Sequence, residues 1–187
     1  MRKVGLAIIM AGLMIVIIGI GKYFEDSLKI ATLTQNNMIE FKEYTAFNGS
    51  IRYKLPSDWL TTETEEGEGL YINEFISANA EIYGVVEVDK MTCEFEEAMN
   101  TFKSEITDMG ISDIKTHEVM VKDVPAQLLE YNFKFNEKKV KKTFEYYLPY
   151  GEYIVKVSFT VNDNKVKENT RVVLENIVET FTFDSIN

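Results

Sequence analysis

Four glutamates crowd one short polar stretch and form the part of the sequence that could bind a cation. The stretch is interrupted by Gly67 and Gly69, and its acidic residues are Glu63, Glu65, Glu66 and Glu68. Carboxylate oxygens are ligands that Ca²⁺ prefers, but this spacing does not match a calcium-binding loop of the EF-hand type. Like charges also keep a loop in solvent. The alternatives are therefore a weak calcium site and a solvated loop. We favour the loop and predict no cofactor.

The single histidine and the single cysteine narrow the catalytic chemistry open to the chain. His117 and Glu118 begin like the HExxH motif of zinc proteases, but Val121 stands where the second histidine would be. Cys93 lies at a predicted helix start, where neighbouring glutamates oppose a thiolate nucleophile. The chain also lacks GxSxG, P-loop and GxGxxG motifs. We therefore interpret His117 as a structural or surface residue, assign no nucleophile role to Cys93 and predict that the protein is not an enzyme.

A second charged cluster, of opposite sign, surrounds a predicted hairpin tip. It comprises Lys138, Lys139, Lys141 and Lys142. These side chains could contact phospholipid headgroups or an acidic partner. Lysines at exposed hairpins also protect a sheet against edge pairing, which is the alternative interpretation. With Trp59 they are the candidate partner-binding residues of the chain.

The elements that position these residues follow from the spacing of apolar side chains. Asn48-Gly49 lies between two alternating segments and predicts a tight type I′ hairpin turn. The polar stretch from Thr61 to Gly69 predicts a loop. Alternation with a period of two predicts half-buried strands at residues 41–47, 51–55, 70–76, 81–88, 114–121, 126–135, 140–148 and 153–161.

Two segments have helical periodicity instead. Residues 94–109 place apolar side chains three and four apart, with Thr92 as the expected N-cap and Gly110 just after the end. Residues 166–181 carry a second stripe, which runs from Val166 to Phe181. Short connections between consecutive strands require antiparallel pairing, and each helix must bury its stripe on the sheet. The sequence predicts an α+β layered sandwich.

The first 21 residues predict a transmembrane signal-anchor. Val4 to Gly21 is an unbroken apolar run, which as a helix would span ~27 Å, close to the thickness of the bilayer core. A cleaved signal peptide is the alternative, although its apolar region would be shorter and would end in a clearer cleavage site than Gly19-Ile20-Gly21. The basic residues Arg2 and Lys3 place the amino terminus in the cytoplasm and the rest of the chain outside.

Small residues mark one stripe of this predicted helix. Gly5, Gly12 and Gly19 recur every seven residues and could allow close helix packing, although glycine is also common in membrane helices in general. Residues 22–40 have mixed polarity and predict a linker, which leaves residues 41–187 as one domain. The net charge of −10 disfavours nucleic acid as a partner, because duplex binding requires neutralisation of phosphates.

Several short motifs of the domain resemble the PsbP-like superfamily. Residues 51–59 read IRYKLPSDW, a strand followed by Pro and Trp, and Val124-Pro125-Ala126 leads into a long strand. The aromatic strand at residues 144–147 and the closing helix that ends in Thr180-Phe181 also fit. The superfamily includes the PsbP proteins of photosystem II, Mog-type Ran-binding regulators and DcrB-type envelope proteins. The resemblance spans roughly residues 41–183.

This resemblance implies an α/β/α sandwich around a central antiparallel sheet and a non-enzymatic module that docks on other proteins. It supplies no catalytic or ion-binding residues that match this chain. We therefore expect a single-pass protein of the cell membrane with an extracytoplasmic binding or assembly domain. Its partner would be another envelope protein, contacted through sheet-edge loops and residues 59–69. The alternative is a sensor or carrier that binds a small ligand or cation between sheet and helix.

Overall fold

The computed structural model of the protein describes residues 40–66, 70–111, 113–136, 139–166 and 168–184. Within these ranges no helix is long and apolar enough to cross a bilayer.

Several predictions fall outside the described residues. They include the signal-anchor at 1–21, with Val4, Gly5, Gly12 and Gly19, and all but the last residue of the linker at 22–40. Glu68 and Lys138 lie outside as well, as do the side chains of Glu66 and Lys139.

From Phe41 onward the chain forms ten strands and two α-helices among the described residues. The strands are β1 Phe41–Ala46, β2 Ile51–Pro56, β3 Leu60–Glu66, β4 Leu70–Ile76, β5 Ile82–Lys90, β6 Lys115–Val121, β7 Val124–Asn136, β8 Lys139–Tyr150, β9 Tyr153–Asn162 and β10 Thr182–Phe183. The helices are α1 Phe95–Asp108 and α2 Glu168–Val178, with a 3₁₀ turn at Asp163–Lys165 before α2.

The strands form two antiparallel sheets. The larger sheet has the order β3-β4-β5-β9-β8-β7-β6, and the smaller has the order β1-β2-β10. Hairpin turns join most neighbours, whereas β9 returns after the β6-β7-β8 meander to pair with β5. The predicted α+β class with a central antiparallel sheet is confirmed.

Alternating side chains of the larger sheet point into two separate cores. Leu128 packs in the cluster that contains Leu174 of α2 and the inward residues of the small sheet. Its neighbour Leu129 packs in the cluster that contains Met99 and Ile106 of α1. Because successive residues of a strand face opposite sides, α1 and α2 lie on opposite faces of the sheet.

The first hairpin loop has four residues, Phe47–Ser50, because Ala46 pairs with Ile51, and it is therefore longer than the tight turn predicted at Asn48-Gly49. Phe47 and Asn48 both have positive φ, and the N–H of Gly49 donates to the carbonyl of Ala46 at 3.2 Å. Positive φ at both central positions is typical of a type I′ turn. A bulky residue rarely adopts it, but the Phe47 ring packs on Tyr153 at 4.9 Å between centroids, which offsets the strain.

The predicted loop at Thr61–Gly69 is wrong for its first six residues, because β3 covers Leu60–Glu66 and pairs with β4 along its whole length. Most of its side chains are exposed, so the strand carries no apolar alternation. The two-residue strand β10 was not predicted. Pairing with β2 creates it, and so short a segment has no period of its own.

Both predicted helices are shorter in the structure. The N-cap of α1 is Glu94, which makes no side-chain cap hydrogen bond, and not Thr92. Helix α2 ends at Val178, and Val166 and Phe181 lie outside it. Phe181 is nevertheless buried, because its ring stacks on Tyr53 at 4.8 Å. Phe181 therefore fits the helical period although it lies after the end of α2, because its side chain packs in the same core as the helix.

Candidate functional site

Among the residues that the structure describes, no helix covers one half of the α1 side of the sheet. The cluster beneath α1 draws its strand residues from β7, β8 and β9 and contains none from β3, β4 or β5 among the described residues. Residues that stand directly opposite each other on paired strands point to the same face of the sheet. A row of such residues begins at Tyr131, which packs under α1, and runs through Thr143 and Thr160 to Tyr83 on the outer strand β5. The side chains on that outer part are therefore open to solvent.

We call this surface the open face and define it by Leu60, Ile72, Ile76, Tyr83 and Val85. Leu60, Ile76 and Tyr83 stand directly opposite one another on three adjacent strands. Leu60 is 72% exposed and Tyr83 is 43% exposed. A row of apolar side chains on an uncovered sheet face is the kind of surface that a partner protein buries.

The structure separates the predicted lysine cluster. The ammonium of Lys141 lies 5.0 Å from the centre of the Tyr83 ring, at the margin of the open face. Lys142 points to the opposite face, where its Nζ is 3.2 Å from Oε2 of Glu130. The partner-binding role predicted for these lysines stays a prediction. Of the two whose side chains the structure describes, Lys141 shares a surface with the exposed apolar residues and Lys142 does not.

Trp59 lies in the core and not on a surface loop. It is 9% exposed, and its indole stacks on Phe75 with 5.4 Å between ring centroids. This packing makes the Trp59 side chain part of the core between β2 and β3. Its predicted role in partner binding stays a prediction, and the open face begins one residue later at Leu60.

The predicted acidic cluster is distributed along β3. Glu63 and Glu65 are exposed and stand opposite Asn73 and Tyr71 of β4. Oε2 of Glu63 accepts a hydrogen bond of 3.1 Å from the Tyr71 hydroxyl. Within the described ranges no group of three or more His, Cys, Asp or Glu side chains could hold a metal ion. The calcium alternative for the four glutamates stays untested, because two of their side chains lie outside those ranges.

A buried hydroxyl network continues inward from Glu63. The Tyr71 and Tyr53 hydroxyl oxygens are 2.7 Å apart, and Nδ2 of Asn73 donates to the Tyr53 oxygen at 2.7 Å. Burial, above all, raises the pKa of Tyr53 and of Tyr71 well above its ordinary value. Both hydroxyls therefore stay neutral at physiological pH, and the network joins β2 of the small sheet to β4 of the large one.

A buried carboxylate lies on the α1 side of the sheet. Glu145 accepts hydrogen bonds from the hydroxyls of Tyr131 at 3.1 Å and Tyr147 at 2.8 Å. Burial raises the pKa of both tyrosines, and the nearby Glu145 charge adds to the effect. Two donors satisfy the carboxylate without a cation, which is a structural arrangement and not a nucleophile–base pair.

His117 and Cys93 are not brought together. His117 is half-exposed on β6, with Nε2 3.6 Å from Oε1 of Glu130. Cys93 is partly buried just before α1 and forms no disulfide. The interpretation of both residues as non-catalytic stays a prediction.

A shallow cleft of about 220 Å³ lies between the sheet and α2. Its apolar lining includes Ile82, Val161 and Val173, and its polar side includes the ion pair between Lys165 and Glu81, with 3.0 Å between Nζ and Oε1. No sequence pattern indicated this cleft, because its residues come from β5 and the loop before it, from β9, from the 3₁₀ turn and from α2, which meet only in the fold.

The likeness of this chain to known proteins lies in its fold and not in its sequence. No protein-family model and no curated protein matches the chain. Among solved structures, cyanobacterial PsbP (CyanoP) from Synechocystis sp. PCC 6803 is similar over 79% of this chain and 94% of that chain, with a TM-score of 0.54 and 8% identity. The fold is PsbP-like. At this identity the PsbP-like likeness concerns architecture and not activity.

Two further structures are similar to the chain. A Bacteroides thetaiotaomicron VPI-5482 protein covers 77% of it at 16% identity and a TM-score of 0.50, and the PsbP-like chain spans only 48% of that protein's length. The protein of unknown function PA94 from Pseudomonas aeruginosa covers 79% of this chain at 10% identity, and 99% of its own length, with a TM-score of 0.46.

Proposed function

We propose that the protein is a non-catalytic docking module of the cell envelope. Residues 1–21 anchor it in the membrane, and the PsbP-like domain, an α/β/α sandwich, lies on the extracytoplasmic side. The domain binds another envelope protein.

The open face is the observation that supports this proposal. It exposes a row of apolar side chains on three strands, and Leu60 alone is 72% exposed. Burial of such a row in a partner is favourable by about 25 cal/mol for each Å² of apolar surface removed from water.

Site-specific photo-crosslinking in intact membranes tests the proposal. A photoreactive residue at Leu60 or Tyr83 of the full chain should crosslink to an envelope protein. The same residue at Thr101, which is exposed on α1, should not. Equal capture from all three positions, or capture from none, would contradict docking through the open face.

A second candidate function rests on the cleft between the sheet and α2. Its apolar lining and adjacent ion pair suit a small amphipathic ligand, which would make the domain a sensor or carrier. A ligand that binds the folded state raises the melting temperature by mass action. A compound that stabilises the wild-type chain but not Val173→Trp, which fills the cleft, would favour this function. A compound library that shifts neither protein would argue against it.

A further inference from the structure

In the part of the chain that the structure describes, the larger sheet ends at β3. Among the described residues β3 pairs with β4 alone, and its outer side has no partner strand. In an antiparallel strand alternate residues direct both N–H and C=O to the same side, so about half of the backbone groups of Leu60–Glu66 lie on this outer side. Unpaired groups of this kind are a template for a further strand.

The charge of the edge strand itself is of one sign. Residues 57–69, which contain β3, include five Asp and Glu residues and no Lys or Arg. Glu63 and Glu65 project from one face of β3 and are exposed. Like charges directly opposite each other destabilise strand pairing, whereas opposite charges stabilise it. The edge therefore disfavours a second copy of β3 and favours a basic strand.

The other face of β3 favours apolar side chains in a strand that pairs with it. Leu60, Thr62 and Thr64 share that face, and Leu60 stands opposite Ile76, while Thr64 stands opposite Ile72. A strand added beyond β3 would extend the open face by one row. Its residues on this side would contact Leu60 and the threonine methyl groups, so apolar side chains fit there.

We propose that the partner contributes an extended segment of alternating basic and apolar residues, which adds to the outer edge of β3 as an eighth strand of the sheet. Its basic side chains lie opposite Glu63 and Glu65, and its apolar side chains continue the open face. Main-chain hydrogen bonds supply affinity, and the two alternating faces supply specificity. This inference rests on the proposed docking function and names the chemistry of the partner.

Synthetic peptides test the inference with the full chain in detergent micelles. The probe is a short peptide of alternating Lys and Val, and the control carries Glu in place of each Lys. We expect the Lys peptide to bind at least about tenfold more tightly than the control, and to lose most of that advantage between about 0.05 M and about 0.5 M salt. It should also slow hydrogen exchange at the amides of β3 and not at those of β6. Equal affinity for both peptides, or no added protection at β3, overturns the proposal.

A matched pair of variants locates the charge effect. Glu63→Lys/Glu65→Lys should weaken the Lys peptide by about tenfold or more and strengthen the Glu peptide. Glu105→Lys/Asp108→Lys makes the same charge change on the exposed side of α1 and should alter neither affinity. Comparable losses in both variants would mean that net charge, and not strand pairing, attracts the peptide, which also overturns the proposal.

Failure of the strand-addition proposal can be distinguished from failure of the docking proposal. A partner that crosslinks from Tyr83 but neither crosslinks from Thr62 nor contains a basic extended segment at the contact would leave docking intact and remove strand addition. Failure to crosslink from Leu60 and Tyr83, with the peptide results as expected, would remove docking through the open face and leave β3 a strand-binding edge.

Discussion

Glu130 is a buried carboxylate with two cationic neighbours and a histidine beside it. Its side chain is 6% exposed and contacts Arg171 of α2, Lys142 of β8 and His117 of β6. Burial by itself would raise the pKa of Glu130. The hydrogen bond from Lys142 and the charge of Arg171 outweigh that effect and hold the pKa below its ordinary value of 4.5. This one residue therefore ties α2 to the strands β6, β7 and β8.

The lowered pKa of Glu130 predicts a pH-dependent contribution to stability. Glu130→Gln should lower the free energy of unfolding near pH 7 by about 1–2 kcal/mol, less than for a fully buried pair because Arg171 and Lys142 reach solvent. The carboxylate stabilises the fold above the ordinary pKa, and this contribution disappears as the pH falls through the folded-state value. The difference between wild type and variant, measured by urea unfolding, should therefore shrink near pH 3.

The exposed ion pair between Lys90 and Glu152 gives the control. Its Nζ and Oε2 atoms are 2.9 Å apart, but both side chains are more than half exposed. Glu152→Gln should cause no measurable change at either pH. A Glu130→Gln effect that did not depend on pH would show that packing, and not charge, explains the loss.

Gly84 occupies a position of β5 that has no room for a side chain. A Cβ at this residue would overlap the carbonyl oxygen of Ser158 on β9 and the ring of Phe75 on β4. Gly84→Ala should therefore lower the free energy of unfolding by about 1–3 kcal/mol, the usual cost of overpacking. Chemical denaturation measures this. Combination with Phe75→Leu, which withdraws the ring, should cost less than the sum of the two single changes. Strict additivity would mean that the ring does not crowd Gly84.

At the scale of elements, hydroxyl groups join the two sheets. Tyr53 of β2 bonds to Tyr71 and Asn73 of β4, while Oδ1 of Asn73 has no hydrogen-bond partner among the described residues. Loss of the Tyr53 hydroxyl would leave the amide group of Asn73 without this acceptor as well. Buried polar groups without hydrogen-bond partners lower the stability of a fold. The Tyr53–Asn73 hydrogen bond therefore contributes more to holding the small sheet in place than a single hydrogen bond would by itself.

Tyr53→Phe should therefore destabilise the protein by about 1–3 kcal/mol. The matched control is Tyr83→Phe on the open face, which should change stability by less than about 0.5 kcal/mol because that side chain is 43% exposed. Thermal unfolding of both variants measures the difference. Equal effects would indicate that the buried network contributes nothing beyond ring packing.

The elements that the sequence predicted are those with one face in a core. Strand β9 alternates cleanly, and the apolar residues of α1 recur at helical spacing, so both were predicted close to their observed bounds. Strand β3 has few buried side chains, because it is an edge, and its pairing with β4 cannot be inferred from its own residues. Its three threonines, which favour strands, were the available sign.

The candidate site was predicted in its general region and not in its residues. The stretch from Trp59 to Gly69 contains Leu60 and β3, but the row from Leu60 to Tyr83 depends on strand register, which brings together residues 16 and 23 positions apart in sequence. The absence of α1 from this half of the sheet also depends on which strands that helix covers. Periodicity alone does not contain this information.

At the scale of the whole molecule, the proposed membrane anchor and its orientation make a direct prediction. The full chain should stay in the membrane fraction after alkaline carbonate extraction, because residues 1–21 remain in the bilayer. Protease added to intact cells should digest residues 22–187, while Arg2 and Lys3 keep the amino terminus inside. Immunoblotting of both fractions measures the outcome. Release by carbonate, or digestion only after lysis, would contradict the anchor or its orientation.

Because Trp59 is the only tryptophan, the intrinsic tryptophan fluorescence of the protein comes from one known position. Its ultraviolet emission comes from one indole, stacked on Phe75 and one residue away from the start of β3. Unfolding should red-shift this fluorescence as the ring meets water, whereas occupancy of the β3 edge should alter its intensity without that shift. Stopped-flow experiments could thus time both events in the native sequence, with no attached dye.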